Sequence, residues 1–107
     1  MELSALQKAH KAWIDDNFPG RDHYYHILGA IEELGELAHA ELKLLEAIRG
    51  GPEGHTAKAR DAIGDVIFFL MGYASDHGWS MEEILAEVWA EVSQRNWRRF
   101  PVNGRDR

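Results

Sequence analysis

Between residues 50 and 54 the chain reads Gly50-Gly51-Pro52-Glu53-Gly54, the strongest interruption of helix in its sequence. Three glycines and a proline so close together cannot prolong a helix, so the chain has to turn there. Upstream, Ile27, Ile31, Leu34, Ala38, Leu45 and Ile48 recur at spacings of three, four and seven, the stripe of an amphipathic helix facing a core. Downstream, Asp65-Val66-Ile67-Phe68-Phe69-Leu70-Met71 is apolar all round after its first residue, the mark of a buried helix. The break therefore joins two long helices, predicted to run from Asp22 or His23 to Arg49 and from an N-cap at Thr56 to His77, with Gly78 as the stop. A shorter helix is predicted ahead of them from Leu3 to Asp16, with Ser4 and Gln7 as a capping box and Phe18-Pro19-Gly20 as its end. A fourth follows the capping box Ser80-x-x-Glu83 to about Arg99, ahead of Pro101. No alternating run or hairpin signal points to a strand. The expectation is one all-α domain over residues 1–107, an antiparallel four-helix bundle.

Composition narrows the function. There are no cysteines, so disulfides, thiolate metal sites and cysteine nucleophiles are excluded. A net charge of −6 argues against stable nucleic-acid binding, which needs a positive footprint. No apolar stretch reaches the ~18 residues of a membrane span and no signal-peptide pattern opens the chain, which gives a cytoplasmic protein as the default. Positive charge gathers near the end, in Arg95, Arg98, Arg99, Arg105 and Arg107, either as a solvated terminus or as an arm for phosphate.

Two acidic clusters stand where helices normally keep carbon: Glu32-Glu33-x-x-Glu36 and Asp61-x-x-x-Asp65. At ~100° per residue Glu33 and Glu36 share a side with the small residues Gly29 and Ala40. Asp61 and Asp65 share a face with Phe69 and Gly72, in a helix that gives aspartate poor support. Antiparallel packing brings the two clusters to similar heights. Carboxylates converging inside a small protein repel one another, and a hard cation relieves the repulsion; oxygen ligands favour Mg²⁺ or Mn²⁺.

The stretch Glu32-Glu33-Leu34-Gly35-Glu36-Leu37-Ala38, followed by Ile63-Gly64-Asp65-Val66 and an apolar run, resembles the MazG-like nucleotide pyrophosphohydrolases of the all-α NTP pyrophosphatase superfamily. The ending Asn96-Trp97-Arg98-Arg99-Phe100-Pro101 is similar to that of small dCTP-cleaving members, so the resemblance spans about residues 25–101. It implies a helical homodimer or homotetramer that hydrolyses nucleoside triphosphates to monophosphate and pyrophosphate with Mg²⁺. By position, Glu33, Glu36 and Asp65 match metal ligands, Glu32 a residue that orients the attacking water, and Asn96 a nucleotide contact. The sequence departs from the family's Glu-x-x-Asp motif: Ala62 occupies the glutamate slot and Asp61 stands one residue earlier.

The mechanism expected is water attack at the α-phosphorus, with Glu32 and Glu33 catalytic and Glu33, Glu36, Asp61 and Asp65 around the metal. Lys58, Arg60, Arg95, Arg98, Arg99 and Asn96 are the candidates for the triphosphate, and Trp13, Phe69, Tyr73 or Trp97 for stacking the base. Two rivals stand beside this reading. A catalytically idle nucleotide- or metal-binding module is favoured by Ala62. A di-iron protein would use Glu36-x-x-His39, one copy of the Glu-x-x-His spacing of that class. His23 and His26, one turn apart, are a weaker metal pair.

Overall fold

The computed structural model describes residues 1–105. It is all-helical: α1 (Leu3–Asn17), α2 (Tyr25–Glu46), α3 (Pro52–Asp76) and α4 (Met81–Val92), with no strand among the described residues. Among the described residues no helix is long and apolar enough to cross a membrane. The hub is α3. α2 packs along much of it, while α1 and α4 pack on α3 and on each other, and α2 makes no close backbone approach to either among the described residues.

The glycine-rich break behaves as expected, but its edges differ. α2 stops at Glu46, three residues short of Arg49, because Ala47 turns left-handed at φ 57°. Ile48 N–H reaches back to Lys43 O at 3.3 Å and Ala47 N–H to Leu44 O at 3.2 Å, a Schellman closure with alanine where glycine is usual. α3 begins at Pro52 rather than after Thr56. Gly51 is the extended N-cap, and Pro52, whose ring presets a helical φ and whose missing N–H costs nothing there, opens the first turn. His55 then donates from Nε2 to Ile48 O at 2.9 Å and pins the turn.

At the far end α3 closes as the sequence suggests, with Gly78 at φ +72° and Trp79 N–H on Ala74 O at 2.9 Å. Ser80 caps α4 by accepting from Glu83 N–H at 3.2 Å. α4 does not run to Arg99. It ends at Val92, and the following residues fold back in turns, with Asn96 N–H on Gly104 O at 2.8 Å and Arg105 paired with Glu91. The Ser4–Gln7 capping box does not form either. Glu2 is the N-cap of α1, and Gln7 is drawn away to α3 and the start of α4.

The core is the main correction. The α2 stripe expected to be buried faces outward, with Ile31 63% and Leu45 74% exposed. The α2 residues buried are His26, Ala30 and Ala40, on the small-residue side. That side meets Phe69 and Gly72 of α3. Gly29 lies under Phe69, where an added β-carbon would come within 2.1 Å of the ring, and Gly72 lies under His26, where it would come within 2.3 Å. Helices approach this closely only where one side supplies no side chain. α3 is also less enclosed than its apolar run implied, with Ile67 and Leu70 exposed. The radius of gyration, 17.6 Å, exceeds the ~13 Å of a compact chain of this length. Much carbon on α2, α3 and α4 is thus left without an intrachain partner.

Candidate functional site

The glycine-lined seam carries the acids. In register beyond the pairs His26–Gly72 and Gly29–Phe69, Glu33 of α2 comes up against Asp65 of α3. Glu33 is half-buried, and its carboxyl is held above the usual carboxylate range first by loss of solvent, then by the charge of Asp65, and then by Glu32 and Glu36. Three neighbouring carboxylates thus act on one.

The other expected ligands are placed differently. Glu32 and Glu36 are exposed on α2 beside Glu33, and Asp65 on α3 is exposed as well. Asp61 is exposed on α3, while Ala62 is 2% exposed within the packing. The position facing inward is therefore the alanine, and Asp61 does not replace it. Among the described residues no group of three or more His, Asp or Glu side chains is gathered closely enough to hold a metal ion. Glu33 and Asp65 are oxygen ligands that repel when ionised, and this chemistry fits a hard divalent cation.

Glu33 and Asp65 border a cavity of about 480 Å³ walled by His10, Trp13 and Ile14 of α1, Phe18 of the connection, Tyr25 and His26 of α2, and Phe68 and Phe69 of α3. The walls are a nearly continuous chain of rings: His10–Phe68 at 5.1 Å between centroids, Trp13–Phe18 at 6.2 Å, Phe18–Tyr25 at 5.6 Å and Tyr25–Phe69 at 5.9 Å. Behind them lies a charged knot. Arg21 pairs with Asp15 at 2.8 Å and with Asp76 at 2.5 Å, and His26 Nε2 sits 3.1 Å from Asp76 Oδ2, off the line of a hydrogen bond. Burial holds the His10 and His26 imidazoles below their ordinary range, against the pull of Asp76.

Of the stacking candidates, Trp13 and Phe69 line this cavity, whereas Tyr73 packs with His77 and Trp79 and Trp97 lies by Gly104. Lys58, Arg60, Arg95, Asn96 and Arg99 are exposed and none of them lines it. Asn96 Oδ1 instead accepts from Arg99 N–H at 3.0 Å, and the Arg99 guanidinium lies over Phe100. His23 is exposed against Asp22 while His26 is buried, so the two do not form a pair. Glu36 and His39 are both on the surface.

Neither a protein-family model, a curated protein nor a solved structure matches the chain.

The sequence did not single out His10, Arg21 or Asp76, marked Phe18 only as part of a helix stop, and offered His26 only as a metal partner of His23. The one local signal was the aromatic and histidine density of residues 23–26, just ahead of the Glu-Glu-x-x-Glu cluster.

Proposed function

We propose that the protein is a divalent-cation-dependent nucleoside triphosphate pyrophosphohydrolase with an antiparallel four-helix, MazG-like fold. One observation carries this reading: a half-buried carboxyl, Glu33, faces Asp65 at the edge of an aromatic cavity. At about 480 Å³ the cavity falls in the range of small-molecule sites. Its rings suit a planar base, and its acidic edge suits the cation that accompanies a triphosphate.

Glu33, Glu36 and Asp65 would hold Mg²⁺ or Mn²⁺. When bound, such an ion neutralises phosphate charge and orients the chain of phosphates. Glu32 would orient water and take its proton during attack on the α-phosphorus, with pyrophosphate leaving and a nucleoside monophosphate remaining. Lys58 and Arg60 on α3, or Arg95, Asn96 and Arg99 near the end of the chain, would meet the triphosphate. The outward carbon of α2, α3 and α4 would be covered in a homodimer or homotetramer, which would also account for the open shape of the single chain.

The test is a panel of NTPs and dNTPs with Mg²⁺, assayed for pyrophosphate. Orthophosphate alone, or no turnover of any nucleotide, would count against the mechanism. Glu36→Ala and Asp65→Ala are each expected to abolish turnover and keep the helical circular dichroism. Buried Ala62, together with the absence of a three-ligand group among the described residues, favours a second reading as a binding module without catalysis. Calorimetric binding of nucleotide and Mg²⁺ with no product would select it.

A further inference from the structure

We propose that Arg21 is a positioning residue for the ligand of this cavity, because it locks α1, the cavity's aromatic wall, onto the α2–α3 pair. This rests on the cavity being the nucleotide site. α1 contributes His10, Trp13 and Ile14 to the wall, yet Ile14 is the residue it buries. So little carbon cannot fix a helix, and polar hubs at its two ends do so instead. Near the start, Gln7 Nε2 donates to Ser75 Oγ at 3.1 Å and Trp79 O at 2.9 Å, and Gln7 Oε1 accepts from Met81 N–H at 2.8 Å. At the other end a single guanidinium does the work.

Arg21 Nη1 donates to Phe18 O at 3.2 Å and Ile14 O at 3.4 Å, carbonyls at the C-terminal end of α1. Its Nη2 donates to Asp15 Oδ1 at 2.8 Å and Asp76 Oδ1 at 2.5 Å, and its Nε to Asp76 Oδ2 at 3.2 Å. The side chain is 9% exposed. One cation therefore satisfies the partly negative end of α1 and ties it through a two-point carboxylate contact to the last residue of α3. The same Asp76 stands beside His26, which also lines the cavity. Without Arg21 the end of α1 loses its anchor while Asp76 loses its main partner. The elements with the least buried carbon open first, so the wall and not the acidic edge should loosen.

The experiment compares the wild-type chain with Arg21→Ala, Arg21→Lys and Asp76→Asn. Expected for Arg21→Ala is a rise in KM of about tenfold with kcat within about threefold, as for lost binding that is uniform between ground and transition states. Mn²⁺ affinity, read by calorimetry without nucleotide, should stay within about twofold of wild type, since the acids lie elsewhere. Hydrogen exchange should quicken in peptides of α1 and not in those of α2 or the middle of α3. Arg21→Lys, which can satisfy fewer of the contacts, should fall between. If Arg21→Ala fails to fold, Arg21→Lys and Asp76→Asn decide the matter by the same KM and exchange measurements. Unchanged KM together with unchanged α1 exchange overturns the proposal, as does a fall in kcat at constant KM. Should the wild type turn over no nucleotide, the enzymatic reading fails, and the exchange arm still decides whether Arg21 holds α1.

Discussion

The same substitution at two glycines of α3 should have opposite effects. At Gly64 a β-carbon meets nothing within 4 Å, whereas at Gly72 it would lie 2.3 Å from Cε1 and 2.6 Å from Nδ1 of His26. Ordinary contact requires at least 3.4 Å, so the ring or α2 itself must retreat by about 1 Å. The ring has little room, because Tyr25 and Phe69 pack against it and Asp76 stands 3.1 Å from Nε2. Both variants gain about 1 kcal/mol from replacing glycine within a helix. Overpacking costs about 1–3 kcal/mol, and a boxed-in ring points to the upper end. Gly64→Ala should therefore stabilise by about 1 kcal/mol and Gly72→Ala destabilise by about 2 kcal/mol. Urea unfolding followed by circular dichroism would separate them by midpoint at equal m-value. If Gly72→Ala proves as stabilising as Gly64→Ala, His26 does not sit on Gly72. The register that brings Glu33 to Asp65 would then be wrong as well.

Other outcomes follow from local features. Ala47→Gly should stabilise by about 1 kcal/mol, since the residue is held left-handed at φ 57°, and a lower thermal midpoint would contradict the Schellman closure. Glu33 holds its proton more tightly folded than unfolded, so its charge destabilises the metal-free fold at neutral pH and ceases to do so below the ordinary value of 4.5. Glu33→Gln should accordingly raise the melting temperature at pH 7, not at pH 4, and lose turnover; an equal rise at both would rule out repulsion as the cause. His10 and His26 are held below 6.5 by burial, so the unfolded chain takes up protons there before the folded one does. Stability should be full above that pH and decline as pH falls below it, less so in His26→Gln, as a melting series from pH 7.5 to 5.0 would reveal.

The helices were legible because their boundaries are written locally: Ser80 with Glu83, Gly78, and the break at 50–54 all act within one turn. Their exact ends were less so. Pro52 opens α3 four residues ahead of Thr56, and α4 stops at Val92 because the stretch after it folds on Gly104. The buried face of α2 was misread for a physical reason. Periodicity finds the apolar side, but it does not say whether that side meets its own chain, whereas Gly29, Ala30 and Ala40 permit the closest approach and take α3. Glu33 and Asp65 could be singled out because each is an acid among small or apolar neighbours. The cavity could not, since His10, Phe18 and Phe69 come from separate elements, and Arg21 meets Asp76 across 55 residues of sequence.

The seam between α2 and α3 also sets a rule of counting. His26, Gly29 and Glu33 are spaced to meet Gly72, Phe69 and Asp65, and a ring resting on bare backbone has no second resting place nearby. Deleting one residue between Gly29 and Glu33 would swing the carboxyl about 100° around its axis and out of reach of Asp65, with every outer face chemically intact. This hairpin should forgive changes of letter on its outside far more readily than a change in the number of letters between its rungs.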